Sequence, residues 1–431
     1  MTAPTPSLPR TTAVIGSGII GACIAAELVV RGHAVTLIDP ADAGGEQAAS
    51  FGNGAFISPA SILPMSFPGM WRKVPGYLTD RSGPVTIRWR DLPGLTPWLW
   101  RFLLSGATEA RWRRTASSLH ALLADAPERH RSLAARIGRA DLIRQNGLIY
   151  AFRDRAAFQG DALGWQIRRD HDVTMEELGA ADLARLVPCL NPRYTFGILV
   201  TSGAHCTDPG GYVGTLAGWA AANGARHVPA AATGFDARDG RVTAVRTTLG
   251  PVPCDAAVIA AGIHSGPLVY LTGDRVPMTA ERGYHVEVTN PAVAPAIPVM
   301  PQDGKMANTL TAGGLRAAGQ VELGAADAPP DWRRADILLD HLLRCYPGLG
   351  PRAGLTVRRW QGNRPSTPDG LPVISPASGM AGVFHAFGHG HIGLAAGPKT
   401  GALIADLVEG TPPAIDMRPY AVSRFRTKAG R

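Results

Sequence analysis

The sequence predicts an α/β fold of two interleaved domains, and three observations predict it. One β-α-β unit opens the chain. Apolar, strand-like runs able to rejoin its sheet recur near residues 256 and 380. Between them lie long stretches of different character, either alternating polar and apolar or rich in tryptophan and arginine.

The opening unit covers 12–39, TAVIGSGIIGACIAAELVVRGHAVTLID. Ala13-Val14-Ile15 reads as a buried strand, and Gly16-Ser17-Gly18-Ile19-Ile20-Gly21 is G-x-G-x-x-G. Gly16 permits the tight turn, Gly18 lets a pyrophosphate approach the backbone, and Gly21 lets the helix lie close on the sheet. A helix from about Ile19 to Arg31 follows, stopped by Gly32. Its N-terminus offers free N–H groups and the positive dipole end to a diphosphate. Ala34 to Ile38 is the second strand, and Asp39 ends it where a carboxylate can accept both ribose hydroxyls. No Arg or Lys lies between Pro40 and Ser50 to hold a 2′-phosphate. That argues against NADP and leaves NAD and FAD open.

At 431 residues, 45% of them hydrophobic, the chain suits two or so soluble domains. The net charge of +9 comes with no nucleic-acid motif and no long Lys/Arg run, so nucleic acid is not expected as a partner. An anionic substrate, an anionic membrane surface, or a basic surface with no partner remain. Five scattered cysteines without a C-x-x-C pair fit a reducing, cytoplasmic setting, with no disulfide framework and no metal site. Residues 1–12 read as a polar lead rather than a signal peptide, and the apolar run after them belongs to the nucleotide unit.

Residues 40–60 contain no third strand-helix unit, unlike an ordinary NAD dehydrogenase. Their Gly/Ser-rich loop can wrap a ring system, with Ser50, Gly52 and Asn53 offering N–H and amide contacts. Residues 61–114 hold Trp71, Trp89, Trp98, Trp100 and Trp112 beside nine basic residues. LTPWLWRFLL is too short to span a bilayer, so this segment either sits at a lipid interface or packs inside a second domain. Residues 115–138 look helical, 147–152 is a strand, and 176–192 is a short helix before Pro188. A helix runs from about Gly211 to Ala222. Short strands with a turn at Asp239-Gly240 lead to Ala256–Ala260, which rejoins the parallel sheet before Ala261-Gly262. Residues 281–288 form an alternating strand and 332–346 a helix. Met380 to Phe387 is a strand, Gly388-His389-Gly390-His391-Ile392-Gly393 a glycine loop, and Ala395 to Glu409 a helix.

With these pieces in order, the chain resembles the FAD-dependent D-amino acid oxidase superfamily, most of all its bacterial D-amino acid dehydrogenases of small-subunit type. The resemblance rests on VIGSGIIG with Asp39, SFGNGAFISP, the Trp-rich segment, RGYH at 282–285, NRPSTPDGLPVI at 363–374 and GHGHIGLAAGPKTGALIADLVEG at 388–410. It implies a FAD-binding Rossmann-like domain (1–60, 209–268, 356–431). Interleaved with it is an α+β substrate domain on a mostly antiparallel sheet (61–208, 269–355).

The resemblance also implies where FAD lies. Its adenosine meets Gly16, Gly18, Ile19, Ile20, Gly21, Asp39, Ala261 and Gly262. Its ring meets Ser50, Gly52, Asn53 and the loop Gly388, His389, Gly390, His391, Ile392, Gly393, Leu394. Arg364 matches the arginine that binds a substrate carboxylate in relatives, although Asn363 stands where they carry an apolar residue. Tyr284 and His285 fall on the strand expected to face the flavin, as contacts for carboxylate or amine. Some sarcosine-oxidising relatives tether flavin through a late cysteine; none follows Cys345, so FAD is expected to be non-covalent.

The implied chemistry is hydride transfer from Cα–H of a D-amino acid or related amine to flavin N5, then hydrolysis of the imine to a 2-oxo acid and ammonia. Electrons pass to quinone or another carrier. Alternatives are an oxygen-using amine oxidase, a hydroxyproline, opine or sarcosine dehydrogenase subunit, and a non-catalytic flavin subunit. Peripheral contact with the inner face of the cell membrane, and a homo- or hetero-oligomer, stay open.

Overall fold

A computed structural model describes residues 10–72, 83 and 85–426. Its first layer is a six-stranded sheet in the order Arg226–Val228, Ala34–Ile38, Thr11–Ile15, Ala256–Ile259, Val383–Phe387, Val373–Pro376; only the last strand runs antiparallel. Alternation along Thr11–Ile15 sorts the core. Val14 faces the helices Ile19–Val30 and Gly393–Glu409, while Ala13 and Ile15 face the antiparallel strands Ala232–Arg238, Arg241–Thr247 and Gly250–Pro253. The two helices cross closely because Gly401 has no side chain; a Cβ there would sit 2.8 Å from the Cys23 carbonyl oxygen.

The second layer is a nine-stranded, mostly antiparallel sheet. Its longest pairings are made by Thr279–Val288, which lies between the edge strand Val357–Ser366 and Gly314–Gly324. Every residue of Thr279–Val288 is buried. Its polar-apolar alternation therefore separates two interior faces, not core from solvent. Tyr284, Val286 and Val288 pack with Leu338, Leu339 and Leu342 of the helix Arg333–Cys345. Glu281, Gly283, His285 and Glu287 occupy the other face. In Gly314–Gly324 one residue is extra: Gly283 pairs with Val321 and Tyr284 with Gly319. Gln320, buried and at φ +53°, is the bulge between them.

Local corrections follow from caps. The helical stretch at 115–138 is two helices, Glu109–Leu123 and Ala126–Arg136, broken where Pro127 enters the first turn of the second. The stretch beginning at 176 opens as the strand Met175–Gly179, paired with Phe196–Val200. Its helix starts only at Ala180, where the Asp182 carboxylate accepts the Gly179 N–H.

Candidate functional site

One cavity of about 1410 Å³ lies between the two layers. Its nucleotide end is built by the first β-α-β unit. Gly16 turns at φ +104°, and a Cβ there would lie 2.5 Å from the Ala260 oxygen. At Gly21 a Cβ would lie 1.8 Å from the Gly16 oxygen, so the helix can approach only without one. Asp39 accepts the Ser17 N–H at 2.8 Å and the Ala41 N–H at 3.0 Å. Ser50 Oγ accepts the Ile19 N–H at 3.1 Å. The N–H groups of Gly18 and Ile20 have no acceptor among the described residues, and both line the cavity with Asp39, Ala261 and Gly262. This is a cradle for an anion at a helix N-terminus.

The middle of the cavity is walled by the loop 50–54, whose carbonyls are all drawn away from it. Arg316 Nη1 donates to Phe51 O and Asn53 O, and Thr309 Oγ1 to Gly54 O. His285 Nδ1 lies 3.2 Å from Gly52 O. Burial, and then the Arg316 charge, push the His285 imidazole down to about 3, so it is neutral with its proton on Nδ1. The N–H groups of Gly52 and Gly54 are left without a partner among the described residues. Gly52 is required because a Cβ would lie 2.0 Å from the Trp360 ring, which stacks on His285.

Opposite lies the loop 388–394. His389 lines the cavity, but its imidazole turns inward to Thr400 Oγ1 at 3.0 Å, and burial depresses it to about 3. From the far side His130, pushed by burial down to about 4, holds Leu394 O at 2.8 Å. The helix Gly393–Glu409 thus presents its N-terminus to the cavity, with Gly388, Gly390, His391, Ile392, Gly393 and Leu394 also lining it. Enclosure, and Arg364 nearby, hold His391 below the ordinary imidazole value against the pull of Glu281.

At the third part Arg364 lines the cavity, 21% exposed, with Nη1 3.1 Å from Glu281 Oε1. Glu281 is 3% exposed and accepts Ser366 Oγ at 2.7 Å through its other oxygen. Register makes this pair, because Glu281 stands directly across from Arg364 and Gly283 from Gly362. The guanidinium lies over Gly283, where a Cβ would be 2.5 Å from Arg364 Cζ. Sequence reasoning missed Glu281. The usable signal was period two, since Glu281, Gly283 and His285 must share one face.

Tyr284 and His285 are placed differently from the expectation that both face the flavin. Neighbours on a strand point to opposite faces, so they cannot both reach one cavity. Tyr284 turns to the helix side, where its hydroxyl donates to Glu322 at 2.6 Å and accepts the Asp331 N–H at 3.0 Å. His285 braces the 50–54 loop from behind. Neither lines the cavity, and Gly21 acts through packing alone.

A cavity with an anion cradle at one end, a wall of unpaired N–H groups along it and an arginine at the other fits a dinucleotide-dependent enzyme. A family model described as FAD dependent oxidoreductase matches residues 11–407, and the chain belongs to that family. A D-amino-acid oxidase of Bradyrhizobium diazoefficiens is 47% identical, aligned over 96% of this chain and 99% of its own. A D-amino acid dehydrogenase of Paramagnetospirillum magneticum is 30% identical over 96% and 98%. Among solved structures, glycine oxidase from Geobacillus kaustophilus superposes with a TM-score of 0.75 at 21% identity, over 98% of this chain and all of that one.

Proposed function

We propose that the chain oxidises the C–N bond of a D-amino acid or a closely related amine, and passes the electrons to quinone or another carrier. The observation that carries the substrate class is Arg364, cavity-facing and held by Glu281 across the strand pair. The residues fit FAD. Gly18 and Ile20 N–H groups and Asp39 would hold its diphosphate and ribose, while Gly52, Gly54 and the helix start at Gly393 would face its ring. When bound, FAD supplies the acceptor for the hydride leaving Cα. Arg364 takes the carboxylate through paired charged hydrogen bonds and so fixes the direction of the Cα–H. Glu281, itself held by Ser366, locks the guanidinium. No side chain is required as a base, because the hydrogen leaves as hydride. Water then converts the imine to a 2-oxo acid and ammonia.

Anaerobic mixing with a panel of D- and L-amino acids and secondary amines should bleach the flavin with at least one D-amino acid. A dye or quinone should then restore the colour faster than oxygen does. A flavin unmoved by every compound would leave a non-catalytic subunit. The 47% identity to an oxidase favours a second reading, in which oxygen is the acceptor. Peroxide formed at full rate without dye would establish it.

FAD is held non-covalently in this reading, and three neutral histidines brace its walls. The folded values of His130, His285 and His389 lie near 4, 3 and 3, below the ordinary 6.5. The unfolded chain therefore binds more protons below that value, so their contribution is full above pH 6.5 and is lost as pH falls toward 3. Acidification through this window should release free FAD into the supernatant. Flavin that stays with the precipitated protein would show a covalent link.

No helix among the described residues is long and apolar enough to cross a membrane. Peripheral contact with the inner face of the cell membrane is supported by the tryptophan segment, which divides in two. Trp98 and Trp112 are buried, whereas Trp71, Trp89 and Trp100 are each 64% exposed. Pro93, Pro97, Trp100 and Leu104 share the exposed face of the helix Leu92–Ser105, with Arg90 and Arg101 nearby in the chain and also exposed. Lys73 and Arg81 lie outside the described residues. The protein should co-sediment with anionic liposomes at low salt, less so at high salt, and Trp100→Ser should weaken it. Equal sedimentation with and without liposomes would remove the membrane from this account.

A further inference from the structure

Arg168 also lines the cavity, in a lobe marked by Gly164 and by Met300, which packs on the Tyr150 and Trp165 cluster; Gln302 and Lys305, a few residues along the chain from Met300, line the cavity as well. Its guanidinium is stacked 4.3 Å over the Trp165 ring and 5.7 Å from the Tyr150 ring. Nε donates to Ala60 O at 2.9 Å; neither terminal nitrogen has an acceptor among the described residues. Asp161, an acid lining the same cavity, attracts it through space but makes no hydrogen bond or close ion pair with it. Gly164 lies beside the guanidinium, and a Cβ there would come within contact of Nη1 at 3.6 Å. Lys305 lines the same cavity, exposed and likewise without an ion pair among the described residues. A half-buried guanidinium with no carboxylate in hydrogen-bonding contact is costly, and its terminal donors remain available.

We propose that this lobe is an anion subsite for a second carboxylate, so that the site prefers substrates acidic at both ends. Arg364 takes one carboxylate, and Arg168 with Lys305 takes the other. This rests on the reading of Arg364 as the first carboxylate's partner. The second carboxylate has two sources: the side chain of a dicarboxylic amino acid, or an acidic substituent on the amine nitrogen. Four strand spacings, about 19 Å, separate the strand of Arg364 from that of Met300, and the Arg364 guanidinium already reaches over the neighbouring strand at Gly283. Chain length is therefore part of the recognition.

Binding is read first by titration calorimetry on the holoenzyme with glutarate and pentanoate, which differ in one carboxylate. Glutarate should bind at least tenfold tighter, and Arg168→Met, which keeps an apolar stem over Trp165, should erase the difference. Lys305→Gln should reduce it in part. Glutarate binding no tighter than pentanoate to the unmodified protein overturns the subsite whether or not the variants fold. So does a preference that survives Arg168→Met. Turnover then separates the sources. D-aspartate, D-glutamate and D-2-aminoadipate against D-glutamine report the side chain, and iminodiacetate against sarcosine reports the nitrogen substituent. If glutarate is preferred but no amine reduces the flavin, the subsite stands and the oxidation reading falls.

Discussion

Arg364→Ala should lower kcat/KM on the best amino acid about 30-fold or more while flavin content stays at the unmodified level. Removing one partner of an enclosed charged hydrogen bond costs roughly 2–5 kcal/mol, which sets that scale. Arg364→Lys should recover only part, since an ammonium cannot reproduce the two parallel bonds. The same change strips Glu281 of its only ion-pair partner among the described residues, leaving a buried carboxylate hydrogen-bonded to Ser366. Some stability should therefore be lost together with activity. Glu281→Gln on the Arg364→Ala background should return stability without returning kcat/KM, separating the two effects. Unmodified kcat/KM in Arg364→Ala would mean that the carboxylate binds elsewhere.

Gly283→Ala should be comparably damaging to activity and much milder to the fold. The added methyl would sit 2.5 Å from Arg364 Cζ, and the long arginine side chain is the part able to yield. A guanidinium shifted by an ångström misaims the Cα–H, which costs on the order of 100-fold in rate. The backbone at Gly283 is ordinary strand, outside the left-handed region, so alanine fits it. Thermal unfolding should move by a few degrees at most, with FAD retained. If kcat/KM changes less than threefold, Arg364 does not need its observed place over Gly283.

What was legible in the sequence was local. The first helix, its flanking strands and the glycine turns follow from spacing within a dozen residues, and they occur at Ile19–Val30, Ala34–Ile38 and 388–393 as the pattern implies. Arg364, Ser50, Gly52 and Asn53 were found through motifs, and all four line the cavity. Glu281 was not found, because its role arises only when its strand pairs with one 83 residues further along. Trp360 and Arg316 escaped for the same reason: one packs on Gly52 and the other ties the carbonyls of Phe51 and Asn53, each from a distant strand. Composition could not divide the tryptophans either, since Trp98 and Trp100 sit two apart on one helix and meet opposite surroundings. Tyr284 shows the converse, a residue whose neighbours made it look functional and whose strand position turns it away.

The bulge at Gln320 acts as a parity switch. Arg316 and Glu322 are both even-numbered on one strand, and an unbroken pleat would aim them the same way. With one unpaired residue between them, Arg316 points to the loop 50–54 and Glu322 points back to Arg282 and Tyr284. A single strand thereby serves two unlike jobs, bracing the cavity wall with its first half and anchoring the sheet's far side with its second. Excision of residue 320 would keep that division, because Gly319 and Val321 would become neighbours opposite Tyr284 and Gly283 and the alternation would run on unbroken. Drawing Gln320 into the ladder instead would undo it, turning one half of the strand over relative to the other.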